Sequence, residues 1–308
     1  MDRRDMLKSA AAVGVGMGFQ AAAVQATESR PAKALPASFI RTRDGVELFY
    51  RDFGTGRPVV FLSGWMLSSE MWNYQLLPLS EQGLRCIAYD RRGHGRSSDP
   101  GRGYDYDTLA DDLASVLETL DLRDVTLVGH SMASGELVRY LSRHGDSRIA
   151  RLVFLAPAAT PFLLKTADNP DGVDGAFLEQ FRSAVLLQDT PRWLAENADP
   201  FFVAETSAAM KSWLMGLMLR CSMKASIDCH RAMASTDFRA ELPRIRVPSL
   251  VIHGDKDVSA PIHLTGQRTA RLIPGCRFEV YEGAPHGLFV THLGRVNADL
   301  LAFARGGD

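Results

Sequence analysis

Short apolar runs alternate along the chain with segments whose hydrophobic residues have helical spacing. The runs occupy positions 46–51, 58–62, 84–89, 125–128, 152–155 and 249–252. Runs that are short and almost entirely apolar are typical of strands buried on both faces. Between two of them, Leu109, Leu113 and Leu117 recur at helical spacing, with Asp111 and Asp112 on the opposite side. This alternation predicts an α/β fold with a doubly wound, mostly parallel sheet.

The alternation stops between positions 158 and 239. This interval has a helical pattern that carries Met, Trp and Phe residues, and Pro161, Pro170, Pro191 and Pro200 interrupt it. The strand pattern resumes at about position 247. We therefore predict a helical cap at 158–239, inserted into one α/β core formed by residues 38–157 and 240–308.

The first 37 residues show a different pattern. Arg3 and Arg4 precede an uncharged stretch, 9–27, that is rich in Ala and Gly and less apolar than a membrane span. The segment resembles a bacterial twin-arginine signal peptide, which implies cleavage after Ala26 and a linker at 27–37. We expect the twin-arginine machinery to export the precursor to the periplasm or the medium, with no stable membrane anchor after cleavage.

Composition and charge narrow the classes of partner. The chain is 46% hydrophobic and 23% charged, and its formal net charge is −1, as in ordinary globular proteins. A balance so close to neutral gives no reason to expect nucleic acid as a partner. The four cysteines form neither a C-x-x-C motif nor a cluster with histidines, so we expect no metal site, and their disulfide pairing stays open.

A serine lies in the context that a nucleophile elbow requires. The sequence Gly129-His130-Ser131-Met132-Ala133 follows an apolar strand and precedes a helical pattern. A sharp turn there exposes the Ser131 hydroxyl, while the N–H of the next residue faces a developing oxyanion. Ala133 stands where the G-x-S-x-G motif has its second glycine. Ser131 is the predicted nucleophile.

Candidates for the base and the acid follow late in the chain. His286 comes shortly after Tyr281, where the last predicted strand ends, and Asp255 and Asp257 follow the run at 249–252. A serine hydroxyl needs a base to take its proton and an acid to orient that base. We predict His286 as the base and Asp257 as the acid, because Asp255 lies in the turn directly after the strand and can bind backbone N–H groups there.

Several motifs together resemble one family. They are the sequences at 90–97 (DRRGHGRS), 129–136 (GHSMASGE), 139–140 (RY), 143–145 (RHG) and 284–287 (APHG). From Ser38 to its C-terminus the chain resembles the α/β-hydrolase superfamily and, within it, the bacterial cofactor-free haloperoxidase, perhydrolase and arylesterase group. The resemblance implies a triad of Ser131, Asp257 and His286, an oxyanion hole formed by the N–H groups of Trp65 and Met132, and no cofactor or metal.

Two departures from that group bear on the reaction. Ser63 stands where the group usually has a His before the Gly of the oxyanion loop, and Met66 replaces the Pro that many haloperoxidase and perhydrolase members carry after the Trp. We therefore expect a serine hydrolase that cleaves a small carboxylic ester or lactone through an acyl-enzyme on Ser131. The alternatives are peracid chemistry, as in a haloperoxidase or perhydrolase, and a slow-turnover ligand-binding protein or lyase on the same fold.

The remaining polar and aromatic candidates have structural interpretations. His94 and His253 are interpreted as turn and strand-end residues, and Arg91 and Arg92 as braces for the loop after Asp90. Five apolar residues of the predicted cap either line an acyl pocket or pack the cap helices, and helical spacing favours packing. They are Phe201, Phe202, Trp213, Met215 and Met218.

Overall fold

The computed structural model describes residues 38–307, and the strands in this range form one eight-stranded sheet. The order across the sheet is β1-β2-β4-β3-β5-β6-β7-β8; β1 and β2 run antiparallel to their neighbours, and the pairs from β4 to β8 are parallel. This confirms the predicted mostly parallel sheet. The strands are β1 (Phe39–Arg41), β2 (Glu47–Phe53), β3 (Arg57–Leu62), β4 (Leu84–Tyr89), β5 (Val125–His130), β6 (Ile149–Leu155), β7 (Ser249–Gly254) and β8 (Arg277–Tyr281).

Helices connect the strands and fill the interval between β6 and β7, where the sequence predicts a cap. A π-helical segment, Phe181–Leu186, joins two of them, and a short 3₁₀ turn, Asp199–Phe201, follows. The α-helices are α1 (Asn73–Glu81), α2 (Tyr106–Thr119), α3 (Ala133–His144), α4 (Gly175–Gln180), α5 (Leu187–Asn197), α6 (Ala208–Met218), α7 (Met223–Ser235), α8 (Gly266–Leu272), α9 (Leu288–Thr291) and α10 (Leu293–Arg305).

The sheet is covered on both faces, because alternate residues of a strand point to opposite sides. In β3, Val60 and Leu62 belong to the hydrophobic cluster that includes α2 and α3. Val59 and Phe61 belong to a second cluster, which includes α1 and α10. The central strands are therefore mostly apolar on both faces, and the carboxyl ends of β3, β5, β6 and β7 lie at one edge of the sheet.

The segment predicted as a signal peptide, 1–26, and the linker at 27–37 lie outside the described residues. Within 38–307, none of the helices has both the length and the apolar character that a membrane span needs.

Candidate active site

Ser131 occupies a sharp turn between β5 and α3. Its φ is 55°, in the left-handed region that L-residues rarely adopt. The backbone bonds of this residue go to the neighbouring strand end: its N–H donates to the carbonyl of Leu155 at 3.0 Å, and its carbonyl accepts from Ala158 N–H at 3.2 Å. The turn is thus held by the carboxyl end of β6, and strained backbone held in this way is common at active sites.

The structure brings Ser131, His286 and Asp257 together. Ser131 Oγ lies 2.9 Å from His286 Nε2, and His286 Nδ1 lies 2.6 Å from Asp257 Oδ2. The three residues are 6%, 5% and 5% exposed. Both imidazole nitrogens therefore have the partners that a base needs, a hydroxyl on one side and an orienting carboxylate on the other.

The Asp257 carboxylate is held by further donors. Its Oδ1 accepts from Ala260 N–H at 2.7 Å, and His253 Nε2 lies 3.0 Å from its Oδ2. Burial by itself would raise the pKa of Asp257, but the nearby charge of His286 and the hydrogen bonds from His253 and His286 outweigh it and hold the pKa well below its usual range. The carboxylate is thus ionised at neutral pH.

Asp255, the competing acid candidate, lies apart from the histidine. Its Oδ1 accepts from Gly283 N–H at 2.7 Å, and its own N–H donates to the carbonyl of Tyr281. This is the backbone-binding turn role that distinguished it from Asp257 in the sequence.

Two backbone donors lie beside the nucleophile. Gly64 is next to the Ser131 side chain, since a Cβ built on it would lie 3.4 Å from Ser131 Cβ, and the N–H of Trp65 follows. Met132 precedes the first turn of α3. Among residues 38–307, no protein acceptor binds the N–H of either Trp65 or Met132. Both predicted oxyanion donors are thus available for a ligand.

The loop that carries Trp65 is a tight turn. Leu67 N–H donates to the carbonyl of Gly64 at 3.2 Å, and Met66, at the third position, has a φ of 62°. A positive φ at this position is the geometry of a type II turn. Met66 is also buried, so the turn is packed as well as hydrogen-bonded.

Arg91 supports this turn, a role that the sequence interpretation did not assign to it. The Nη2 atom donates to the carbonyl of Ser63 at 2.7 Å, and the guanidinium forms a buried ion pair with Glu136 of α3. Arg92, by contrast, binds Asp112 and Asp44 away from the site. The local pattern RRGHG does not separate these two roles, because the partners are distant in sequence.

Cap residues contact the site at two places. The Phe201 ring lies 5.4 Å from the His286 ring, centroid to centroid. The Trp65 ring packs against the rings of three cap residues, Phe181, Trp193 and His230, with centroids 5.3–6.4 Å apart. Phe201 is therefore a wall of the site.

Trp213, named with Phe201 as a pocket candidate, packs elsewhere. Its ring lies 5.8 Å from the ring of Tyr74 in α1, centroid to centroid.

In the part of the chain that the structure describes, no group of three or more His, Cys, Asp or Glu residues is arranged to hold a metal ion, and none of the four cysteines forms a disulfide.

Comparison with known proteins identifies the family. The family model described as the alpha/beta hydrolase fold matches residues 57–293. A non-heme chloroperoxidase of Kitasatospora aureofaciens is 42% identical over 269 residues, which cover 85% of this chain and 97% of that protein. A bifunctional esterase/perhydrolase of Acinetobacter calcoaceticus is 36% identical over 276 residues, covering 87% and 99%.

A solved structure is also similar to this chain over most of its length. An esterase of Exiguobacterium antarcticum is 33% identical to this chain, with a TM-score of 0.83 over 87% of this chain and 99% of that chain. The family model, which matches residues 57–293, includes the whole interval between β6 and β7.

Proposed function

This chain belongs to the alpha/beta hydrolase family, and we propose that it is a serine hydrolase that cleaves a small carboxylic ester or lactone through an acyl-enzyme on Ser131. The observation that carries the proposal is the pair of contacts at His286, 2.9 Å to Ser131 Oγ and 2.6 Å to Asp257 Oδ2. Beside them lie two backbone N–H donors that no acceptor within residues 38–307 binds. The esterase relatives support the same reaction class.

The geometry defines the order of proton transfers. His286 Nε2 takes the proton of Ser131 as Oγ attacks the substrate carbonyl carbon, and the N–H groups of Trp65 and Met132 stabilise the oxyanion. When the intermediate collapses, His286 gives the proton to the departing alkoxide. Water then repeats the sequence on the acyl-enzyme and releases the acid, while Asp257 stabilises the imidazolium in both halves.

Replacement of the nucleophile tests the proposal. Ser131→Ala should lower kcat for short-chain aryl esters by at least about 10⁴-fold, as loss of a triad nucleophile does in other serine hydrolases. Ser115→Ala is the matched control, because Ser115 is a partly buried serine whose hydroxyl binds the carbonyl of Asp111 in α2. Retained turnover in the Ser131 variant would refute the mechanism.

The substrate class needs a broader assay. A panel of aryl esters and lactones should give steady-state turnover with the wild-type protein. Labelling of Ser131 by a fluorophosphonate without turnover of any panel member would instead favour the slow ligand-binding alternative.

A second candidate activity has support from the relatives. The chloroperoxidase and the esterase/perhydrolase named above suggest that hydrogen peroxide replaces water as the acceptor of the acyl group, which yields a peracid and regenerates Ser131. An assay with acetate and peroxide at mildly acidic pH tests this. Peracid formation that disappears in Ser131→Ala would establish it, and its absence would leave hydrolysis alone.

We further propose that the protein is exported through the twin-arginine machinery to the periplasm or the medium. The support is the Arg3-Arg4 pair ahead of an uncharged stretch and the small residues before position 27. Changing both arginines to lysine should leave full-length precursor in the cytoplasm, whereas Arg30→Lys should not. The N-terminus of the exported protein should be Thr27; export of the lysine variant at the wild-type level would contradict the proposal.

A further inference from the structure

The peptide bond between His286 and Gly287 is held from two sides. Its carbonyl lies 3.1 Å from Nε2 of His130, the last residue of β5. Its N–H donates to the carbonyl of Phe201, in the cap, at 3.0 Å. One bond therefore comes from the core strand that carries the nucleophile, and the other comes from the cap.

The hydrogen-bonding roles at His130 follow from its partner. A carbonyl oxygen only accepts, so Nε2 carries the proton and donates. The other nitrogen, Nδ1, is buried, has no hydrogen-bond partner among the described residues, and faces Gly64, where a built Cβ would lie 2.6 Å away. A second proton on this ring would have no acceptor.

The surroundings keep His130 neutral. The ring is 1% exposed and packs against Phe289 and Trp72. Burial lowers the pKa of His130 well below its usual value, and the nearby charge of His286 lowers it further. The rings of His130 and His286 are 4.8 Å apart, yet His130 does not compete for the catalytic proton.

We propose that His130 is a positioning residue: its Nε2–H, donated to the carbonyl of His286, fixes the distance between the imidazole of His286 and the hydroxyl of Ser131. His130 is bonded directly to Ser131 along the chain, so the donor and the nucleophile move together. The bond to Phe201 depends on the cap, whereas the bond to His130 lies within the core. The inference rests on the proposed hydrolase function.

Two variants separate the hydrogen bond from the packing. His130→Phe keeps an aromatic ring and loses the donor, while His130→Gln keeps an N–H donor. We expect kcat to fall about 10–100-fold in His130→Phe with KM nearly unchanged, because small displacements of a reacting group have effects of this size. His130→Gln should recover most of that loss.

A matched control is available at His94. This histidine is also buried, with one ring nitrogen 2.9 Å from the Arg92 carbonyl, while the other has no partner in the part of the chain that the structure describes. His94→Phe removes the same kind of bond away from the triad, and it should leave kcat within about twofold of the wild type at neutral pH or above, since most substitutions away from a site act on stability alone.

Two readouts do not depend on turnover. The rate at which a fluorophosphonate labels Ser131, with loss of fluoride and transfer of the serine proton to His286, should fall in His130→Phe and recover in His130→Gln. The far-downfield ¹H NMR resonance expected from the short His286 Nδ1–H bond to Asp257 should broaden in the first variant and sharpen in the second.

The outcomes are distinguishable. If the wild type labels and shows the resonance but hydrolyses no ester or lactone, the proposed function fails while the positioning role is still tested by the labelling rates. The positioning role is wrong if His130→Phe folds and matches the wild type in kcat and in labelling rate. It is also wrong if kcat and labelling rate fall equally in His130→Phe and His130→Gln. Should His130→Phe fail to fold, the His130→Gln and His130→Asn pair decides: the longer donor should label faster, and equal rates would overturn the proposal.

Discussion

Arg91 connects the oxyanion loop to the helix that begins after the nucleophile. It is 3% exposed, and its guanidinium bridges the carbonyl of Ser63 and the carboxylate of Glu136. Holding the Ser63 carbonyl toward Arg91 orients the chain that leads to the N–H of Trp65. We therefore expect Arg91 to act on the reaction through the backbone geometry of this loop.

The Arg91→Met variant should lose both stability and activity. Removing one partner of a buried ion pair leaves the other charge without compensation, which costs roughly 3–5 kcal/mol. The double variant Arg91→Met/Glu136→Gln removes that charge and should regain much of the free energy of unfolding, measured by urea titration. Its kcat should stay low, because Ser63 still lacks its donor. A double variant with wild-type kcat would show that Arg91 serves stability alone.

Among single residues, the sequence predicts those whose role follows from the local motif around them. Ser131 lies within an elbow motif, and His286 and Asp257 follow strand ends in the expected chain order. The contacts of Arg91 and His130 were not foreseeable in this way, because Arg91 binds residues 28 and 45 positions away and His130 binds one 156 positions away. Burial of these polar groups is a property of the packed fold, which no local pattern reports.

We expect the turn at 64–67 to affect the balance between the two candidate activities. Met66 has φ 62°, and proline is restricted to about −65°. A proline at this third position is compatible with a type VI turn, whose Trp–Pro peptide is cis, and not with the type II geometry. The group that the sequence resembles carries this proline in many of its haloperoxidase and perhydrolase members.

Met66→Pro should therefore change the ratio of the two candidate activities. Rearrangement of the turn displaces the N–H of Trp65, one of the two predicted oxyanion donors, and we expect kcat for ester hydrolysis to fall about 10-fold or more, as removal of part of an oxyanion hole does. The ratio of peracid formation to hydrolysis should rise. Met66→Leu, which conserves volume, should keep both rates near the wild type. An unchanged ratio in the proline variant would exclude this turn as the determinant.

Prediction of the other elements depended on their length. The apolar runs at 58–62 and 84–89 coincide closely with β3 and β4. Strand β1 has three residues and was not predicted, because so short a segment has no period to read and depends on its pairing with β2. The π-helical segment Phe181–Leu186 likewise arises from packing in the cap rather than from spacing.

At the scale of the whole molecule, we expect buried histidines to make the fold sensitive to acid. Burial, assisted by the charge of Arg91, lowers the pKa of His94 to about 3, and burial with the charge of Arg182 lowers the pKa of His230 to about 4. The pKa of His130 is lowered as well. Below the ordinary histidine pKa of 6.5, the unfolded chain binds protons that the folded chain does not. Stability is thus complete above about pH 6.5 and declines as the pH falls toward 3–4.

His94 allows this decline to be measured for one residue. With a pKa of 6.5 unfolded and about 3 folded, its share of the stability lost between pH 7 and pH 5 is about 2 kcal/mol. His94→Phe removes that titration, so the difference in the free energy of unfolding between the two pH values should shrink by about this amount relative to the wild type. Urea titrations of both proteins at pH 7 and pH 5 measure it.

Comparing the free energy of unfolding at the two pH values within each protein separates the effect of titration from the effect of altered packing. His94→Phe alters stability at every pH, but only the lost proton binding alters the dependence on pH. The depressed carboxylates Asp257 and Asp44 are present in both proteins, and they too lose stability only as the pH falls below the usual carboxyl range, so their effect cancels. Equal pH dependence in the two proteins would mean that His94 takes up a proton in the folded state, and that the loop after β4 opens to water.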